Sequence, residues 1–272
     1  MLENERVVEE LMAFPDSPRV IYEKNPLQEV ACQLSFAPIL RIGTEPPVEF
    51  QELIRQEYPL FEEIPGVELP PDIPPELSKF LTNEMPFSLP TGSYEFTSAD
   101  GDWAIDLTRD SLTLTSQNYK SWEEFKDHLL RAFEAVLSIY APAFFTRVGL
   151  TYNNVIRRSE LGLEEVQWSE LLQSYVACEL ASDISESVLG IRSEVLVNLD
   201  KIDGQVHVRH GLAQSRESNE IGYVVESTFY VQERTEVDAT VGILDVFNKQ
   251  AGNLFRWCIK DPLHEALEPH SG

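Results

Sequence analysis

Phe144-Phe145-Thr146-Arg147-Val148-Gly149-Leu150-Thr151-Tyr152-Asn153-Asn154-Val155-Ile156 is the stretch that decides the fold. Phe145, Arg147, Gly149, Thr151 and Asn153 fall on one side of it. Phe144, Thr146, Val148, Leu150, Tyr152 and Asn154 fall on the other. A two-residue period of this kind is the signature of a β-strand, whose side chains alternate between faces. The side with Arg147 is the more polar, and Gly149 on it permits close approach of another backbone or a ligand. The strand sits at mid-chain, directly after the clearest amphipathic helix.

Working back towards the N-terminus, Ser121-Trp122-Glu123-Glu124 has the form of a capping box. A serine hydroxyl there accepts from the backbone N–H three residues on. Phe125, Leu129, Phe133, Val136 and Tyr140 then recur at helical spacing until Pro142. Before this helix come three short strands, carrying Tyr94 and Phe96, then Trp103, Ile105 and Leu107, then Leu112 and Leu114. Asp100-Gly101 and Arg109-Asp110 are the turns between them. Val30, Cys32, Leu34 and Phe36 predict a first strand over about Glu29–Ile42, interrupted at Pro38. Phe50, Leu53, Ile54 and Tyr58 predict a short helix after Pro46-Pro47. Residues 59–90 hold eight prolines among acids and apolar residues, which reads as an extended arm packed across the surface or as an insert that docks a partner. A short helix is expected over Glu5–Phe14, before all of this.

Working forward, Trp168, Leu171, Leu172 and Tyr175 suggest a short helix. Val195, Val197 and Leu199, then Val206, Val208 and His210, then Tyr223, Val225, Ser227, Phe229 and Val231 mark three strands. Leu244, Phe247, Ala251, Leu254 and Cys258 form the stripe of a closing helix over about Val237–Ile259. The tail after Asp261-Pro262 reads as a turn and a loose end.

The chain therefore divides into a first half, residues 1–143, and a second, residues 144–272, each with the order β-α-β-β(-β)-α. Together they are expected to form one compact unit. The predicted fold is α+β: a curved antiparallel sheet with long helices on one face. Its element order resembles TATA-binding-protein-like and helix-grip folds.

Composition narrows the function. Forty-six acids against 21 bases give a formal net charge of −25 over 272 residues. Phosphate contacts need a basic surface, so direct nucleic-acid binding is not expected. The charge serves solubility in one reading, and a basic partner or mimicry of a polyanion in the other. No apolar run approaches the ~18 residues of a membrane span, and the N-terminus lacks a signal-peptide pattern. A cytoplasmic location follows as the expectation. Cys32, Cys178 and Cys258 are widely spaced and read as buried, reduced thiols rather than a zinc or disulfide framework.

No phosphate loop, nucleophile elbow, zinc-protease helix or Cys-x-x-Cys pair is present. His207 and His210 are three apart on a strand and point to opposite faces, so they cannot share a metal. All five histidines, His128, His207, His210, His264 and His270, read as solvated. No catalytic residue, metal or cofactor is expected. One constellation is notable: Arg147, Tyr152, Asn153, Asn154, Arg157 and Arg158, with three arginines within twelve residues. Arginine's planar fork suits carboxylate, phosphate or an acidic peptide. The competing reading is a polar sheet face with Arg147 paired internally. Trp257 flanks the last helix stripe and is a candidate interface residue.

Several segments resemble a family of uncharacterised, sporadically distributed prokaryotic proteins of about this length. They are Asn25-Pro26-Leu27-Gln28-Glu29-Val30 with Cys32-Gln33-Leu34-Ser35-Phe36, then Trp122-Glu123-Glu124-Phe125, then Arg147 to Asn154. Phe247-Asn248 and Phe255-Arg256-Trp257 complete the resemblance. It implies no established activity. The patchy occurrence implies mobile genes of the defence or toxin–antitoxin kind. The sequence thus predicts a non-enzymatic acidic interaction protein with a protein partner, basic and encoded nearby; homo-oligomers are compatible with it. The alternative is a ligand-binding module with an apolar pocket and Arg147 as anion anchor.

Overall fold

Alternation becomes strand, and helical spacing becomes helix, along most of the chain. The computed structural model describes residues 13–65, 92–199, 202–215 and 219–271. Its elements run β1 (Val20–Tyr22), β2 (Leu27–Phe36), α1 (Leu40–Thr44), α2 (Val48–Ile54), β3 (Leu60–Ile64), β4 (Ser93–Thr97), β5 (Trp103–Thr108), β6 (Ser111–Ser116) and α3 (Trp122–Tyr140). They continue with β7 (Phe145–Ile156), α4 (Arg158–Leu161), α5 (Trp168–Leu171), two short 3-10 turns (Cys178–Ala181, Ser185–Ser187) and β8 (Arg192–Leu199). Then come β9 (Gly204–Gln214), β10 (Ile221–Val231), α6 (Val237–Cys258), α7 (Asp261–Ala266) and β11 (Pro269–Ser271). The fold is α+β. The order strand, short helices, strands, long helix occurs once from β2 to α3 and again from β7 to α6. The helix expected at Glu5–Phe14 and most of the proline-rich arm lie outside the described residues.

Contacts group the chain into two units. One holds Ala31–Val148 and Glu233–Val237 and is called here the α3 unit. The other holds Met1–Val30, Gly149–Gln232 and Asp238–Gly272 and is called the α6 unit.

In the α3 unit, β3, β4, β5 and β6 pair antiparallel in sequence, with β2 beside β6. Their register places Phe61, Phe96, Ile105 and Leu114 side by side, and Glu62, Glu95, Asp106 and Thr113 in the neighbouring row. Phe96, Ile105, Leu107, Leu112 and Leu114 are buried, as are Cys32, Leu34 and Phe36 of β2. Helix α3 covers this apolar side. Its Ser121 hydroxyl accepts from the Glu124 N–H at 3.2 Å, the expected cap. Phe125 meets Trp103 with ring centroids 5.8 Å apart, and Phe133 meets Phe145 at 5.7 Å. Two expectations are corrected. β2 stops at Phe36, because Pro38 cannot donate to a ladder and the chain turns into α1. Leu60–Ile64, at the start of the supposed irregular arm, is a strand paired with β4.

In the α6 unit the order is β7, β10, β9, β8, and the β10–β9 and β9–β8 pairs are antiparallel. Leu150, Tyr152, Asn154 and Ile156 of β7 are buried, with Tyr223, Val225, Ser227 and Phe229 of β10 and Val206 and Val208 of β9. Helix α6 lies on that side through Leu244, Phe247, Ala251, Leu254 and Cys258. Phe229 and Phe247 have ring centroids 5.9 Å apart. The tail is not a loose end: α7 follows α6, and β11 pairs antiparallel with β1, Ile21 opposite His270.

The alternation of β7 also slips at its start. Phe145 and Val148, three apart, are both buried while Thr146 is exposed. Phe145 therefore belongs with the core, against Phe36 and Phe133, rather than on the polar side with Arg147.

Candidate functional site

The seven residues singled out in the sequence fall into different surroundings. In the α3 unit, the Arg147 guanidinium donates to the Gln33 side-chain carbonyl at 2.7 Å. The other six belong to the α6 unit. Tyr152 and Asn154 point to the helix side. The Tyr152 hydroxyl donates to Asn248 Oδ1 at 2.9 Å, and the Asn154 amide donates to the Val225 carbonyl at 3.3 Å. Asn153 points the opposite way, as alternation requires. Arg157 and Arg158 diverge: Arg157 donates to Glu160 and Gln28, whereas Arg158 caps the Val166 carbonyl and lies 4.8 Å over the Trp168 ring. β7 presents its polar residues on two faces, and Arg157 and Arg158 leave its end in two directions.

Trp257 is 36% exposed at the end of α6. It stacks on Tyr175 with centroids 4.5 Å apart, and Phe14 meets it at 5.7 Å. The Tyr175 hydroxyl donates to the Trp257 carbonyl at 2.8 Å. From Tyr175 the chain crosses the two 3-10 turns to β8, and this crossing exposes Tyr175, Ile184, Leu189, Val195 and Leu196. Leu189 is 93% exposed. Single exposed apolar residues are ordinary, but several within 22 residues of one segment mark a candidate interface. Cys178 lies in the same segment and is exposed, whereas Cys32 and Cys258 are buried as expected. Burial pushes the Cys258 thiol up to about 12.

β8 ends its strand order, and among the described residues no strand pairs with its outer edge. Register with β9 and β10 forms three short rows. Glu194, Arg209 and Glu226 are opposite one another, then Val195, Val208 and Ser227, then Leu196, His207 and Thr228. Arg209 bonds Glu226, and His207 meets Glu194. The first row thus alternates acid, base, acid, and Glu194 stands outermost. Sequence reading found these strands and placed His207 and His210 on opposite faces. It missed the row, because charge alternation across strands needs the register.

Three tyrosine–histidine pairs were also missed. Tyr58 meets His128 Nδ1 at 2.7 Å, Tyr22 meets His264 Nδ1 at 2.8 Å, and Tyr223 meets His210 Nδ1 at 2.8 Å. His128, His210 and His264 are therefore not simply solvated. His128 stacks on Trp103 at 3.9 Å, and Glu57, ion-paired with Arg131, lies 3.8 Å from its Nδ1. Burial lowers the pKa of all three histidines, against nearby acids that raise it. Burial likewise raises the three tyrosines, Tyr22 to about 12. A histidine whose folded pKa lies below its unfolded value contributes stability that is intact above about pH 6.5 and is lost as pH falls. The exposed carboxylates Asp16, Asp100, Glu220 and Glu268 are lowered by their partners and titrate below that window. Urea unfolding is thus expected to show a falling midpoint between pH 6.5 and 5. His128→Gln is expected to reduce that dependence. A midpoint flat across this range would contradict buried neutral histidines.

No protein-family model matches the chain. No curated protein matches it either. Among solved structures, the di-domain ARO/CYC StfQ from the steffimycin biosynthetic pathway is similar over 60% of this chain and 72% of that chain. The identity is 10% and the TM-score 0.14, a likeness that carries no argument. Among the described residues, no group of His, Cys, Asp and Glu could hold a metal ion, and no helix is long and apolar enough to cross a membrane.

Proposed function

We propose that this chain is a non-enzymatic, acidic interaction protein that binds a basic protein partner. The observation that carries the reading is the apolar exposure of Tyr175–Leu196 within a chain of net charge −25. An interface core is apolar and its rim polar, and complementary charge steers encounter. Trp257, stacked on Tyr175, supplies the kind of aromatic anchor that dominates binding energy. The product of an adjacent gene, in a defence or toxin–antitoxin setting within the cytoplasm, is the first partner to test.

The test is native mass spectrometry of the protein co-expressed with its flanking genes and purified at low salt. A stoichiometric complex with a basic protein, dissociating as salt rises, is expected. A protein that emerges bare at low salt with every flanking product present in the cell would contradict the reading.

A further inference from the structure

We infer that the outer edge of β8 receives an extended segment of a basic protein as an added antiparallel strand, with a lysine or arginine opposite Glu194 and apolar side chains opposite Val195 and Val197. The inference rests on the proposed partner reading and names where and how that partner docks. A strand edge carries unpaired N–H and C=O groups, and proteins ordinarily blunt such edges with charged side chains, lysine above all, with proline, with a bulge or with a covering element; β8 has only Arg192 and Glu194 of these. β8 reads Arg-Ser-Glu-Val-Leu-Val-Asn-Leu, eight residues without lysine or proline. Among the described residues nothing pairs with its outer side. Val195 and Leu196 are exposed on opposite faces of this edge, at 44% and 57%. An incoming strand would cover both faces at once, as strand addition does.

Charge selects the occupant. In the row Glu226–Arg209–Glu194 the signs alternate outward, so a base is the next member that continues it. Opposite charges directly across a strand pair stabilise it and like charges destabilise it. The segment Cys178–Leu199 holds Glu179, Asp183, Glu186 and Glu194 against Arg192 alone. A second copy of this chain would bring the same acidic segment, and a further −25, to the edge. A strand with a base opposite Glu194 meets neither penalty, and Arg192, on the same face of β8, calls for a neutral residue opposite it. Valines on its other face extend the row of Val195 and Val208.

The experiment uses the whole protein and a fluorescent ten-residue peptide with valine at every second position and lysine and serine in turn between them, so that serine stands opposite Arg192 when lysine stands opposite Glu194. Saturable binding by anisotropy at low salt is expected. Methylating alternate backbone nitrogens, which removes the ladder donors and keeps the charge, is expected to abolish it. Glu194→Lys is expected to weaken binding roughly tenfold, by replacing an attractive cross-strand pair with a repulsive one. Equal binding of the methylated peptide, lost with salt, would overturn strand addition and leave the acidic-partner reading standing. No binding of the parent peptide would overturn the inference, while the co-expression experiment decides the partner reading separately. A salt-insensitive dimer of this chain, undisturbed by peptide, would give the edge to a second copy and overturn it too.

Discussion

Replacing Gly211 with alanine is expected to destabilise the protein by about 3 kcal/mol, the upper end for overpacking a closed site. Gly211 lies in β9 between Arg192 of β8 and Val224 of β10. A Cβ there would overlap the Ile191 carbonyl oxygen, lie 2.7 Å from the Ile191 carbonyl carbon, and lie 3.2 Å from Arg192 Cα. These neighbours are backbone atoms, so no rotamer change relieves the overlap. The start of β8 must move away from β9. Hydrogen exchange in Arg192–Leu199 should then accelerate more than in β10, because the damage is local to that pair. Gly242→Ala is the matched control. Among the described residues, nothing outside the helix's own neighbouring backbone lies within 4 Å of the added methyl, and the site is inside α6, so a gain of about 0.5–1 kcal/mol is expected. Urea denaturation measures both. A neutral Gly211→Ala would mean that β8 does not approach β9 as described.

Trp103→Ala is expected to cost about 4 kcal/mol, as large aromatic truncations in cores do. Trp103 is buried, stacks on His128, and packs against Phe125 of α3. Its loss opens a cavity beneath α3 and admits water to His128. The His128 pKa, held down mainly by burial, should then rise towards the ordinary histidine value. Tyr58→Phe separates the two effects, since it removes one hydrogen bond and keeps the packing, at roughly 1 kcal/mol. Urea midpoints and an NMR titration of the His128 ring report them. A His128 pKa unchanged in Trp103→Ala would show that the indole does not desolvate it.

Local periodicity made the architecture legible. The stripe Phe125, Leu129, Phe133 and Val136 is the buried face of α3, and Ser121 is its cap. The alternation of Tyr223, Val225 and Phe229 is the inward face of β10. What could not be read depended on partners distant in sequence. His128 and Tyr58 are 70 residues apart, and Tyr22 and His264 are 242 apart. Neither pair leaves a mark on local spacing. The slip at Phe145 has the same origin, since its burial is set by Phe36 and Phe133 rather than by its own neighbours. Trp257 was legible as a flanking aromatic, but its stack with Tyr175 was not. Arginine clustering in sequence did not translate into a shared direction, because alternation and the chain's exit from β7 separate Arg157 from Arg158.

The most direct measurement of the central claim is hydrogen exchange by mass spectrometry on this chain alone and in complex with its co-purified partner. Docking along β8 predicts that the amides of Arg192–Leu199 slow on binding, together with the Tyr175–Leu189 segment. Unchanged exchange at β8, with protection confined to other strands or to the α3 unit, would contradict it.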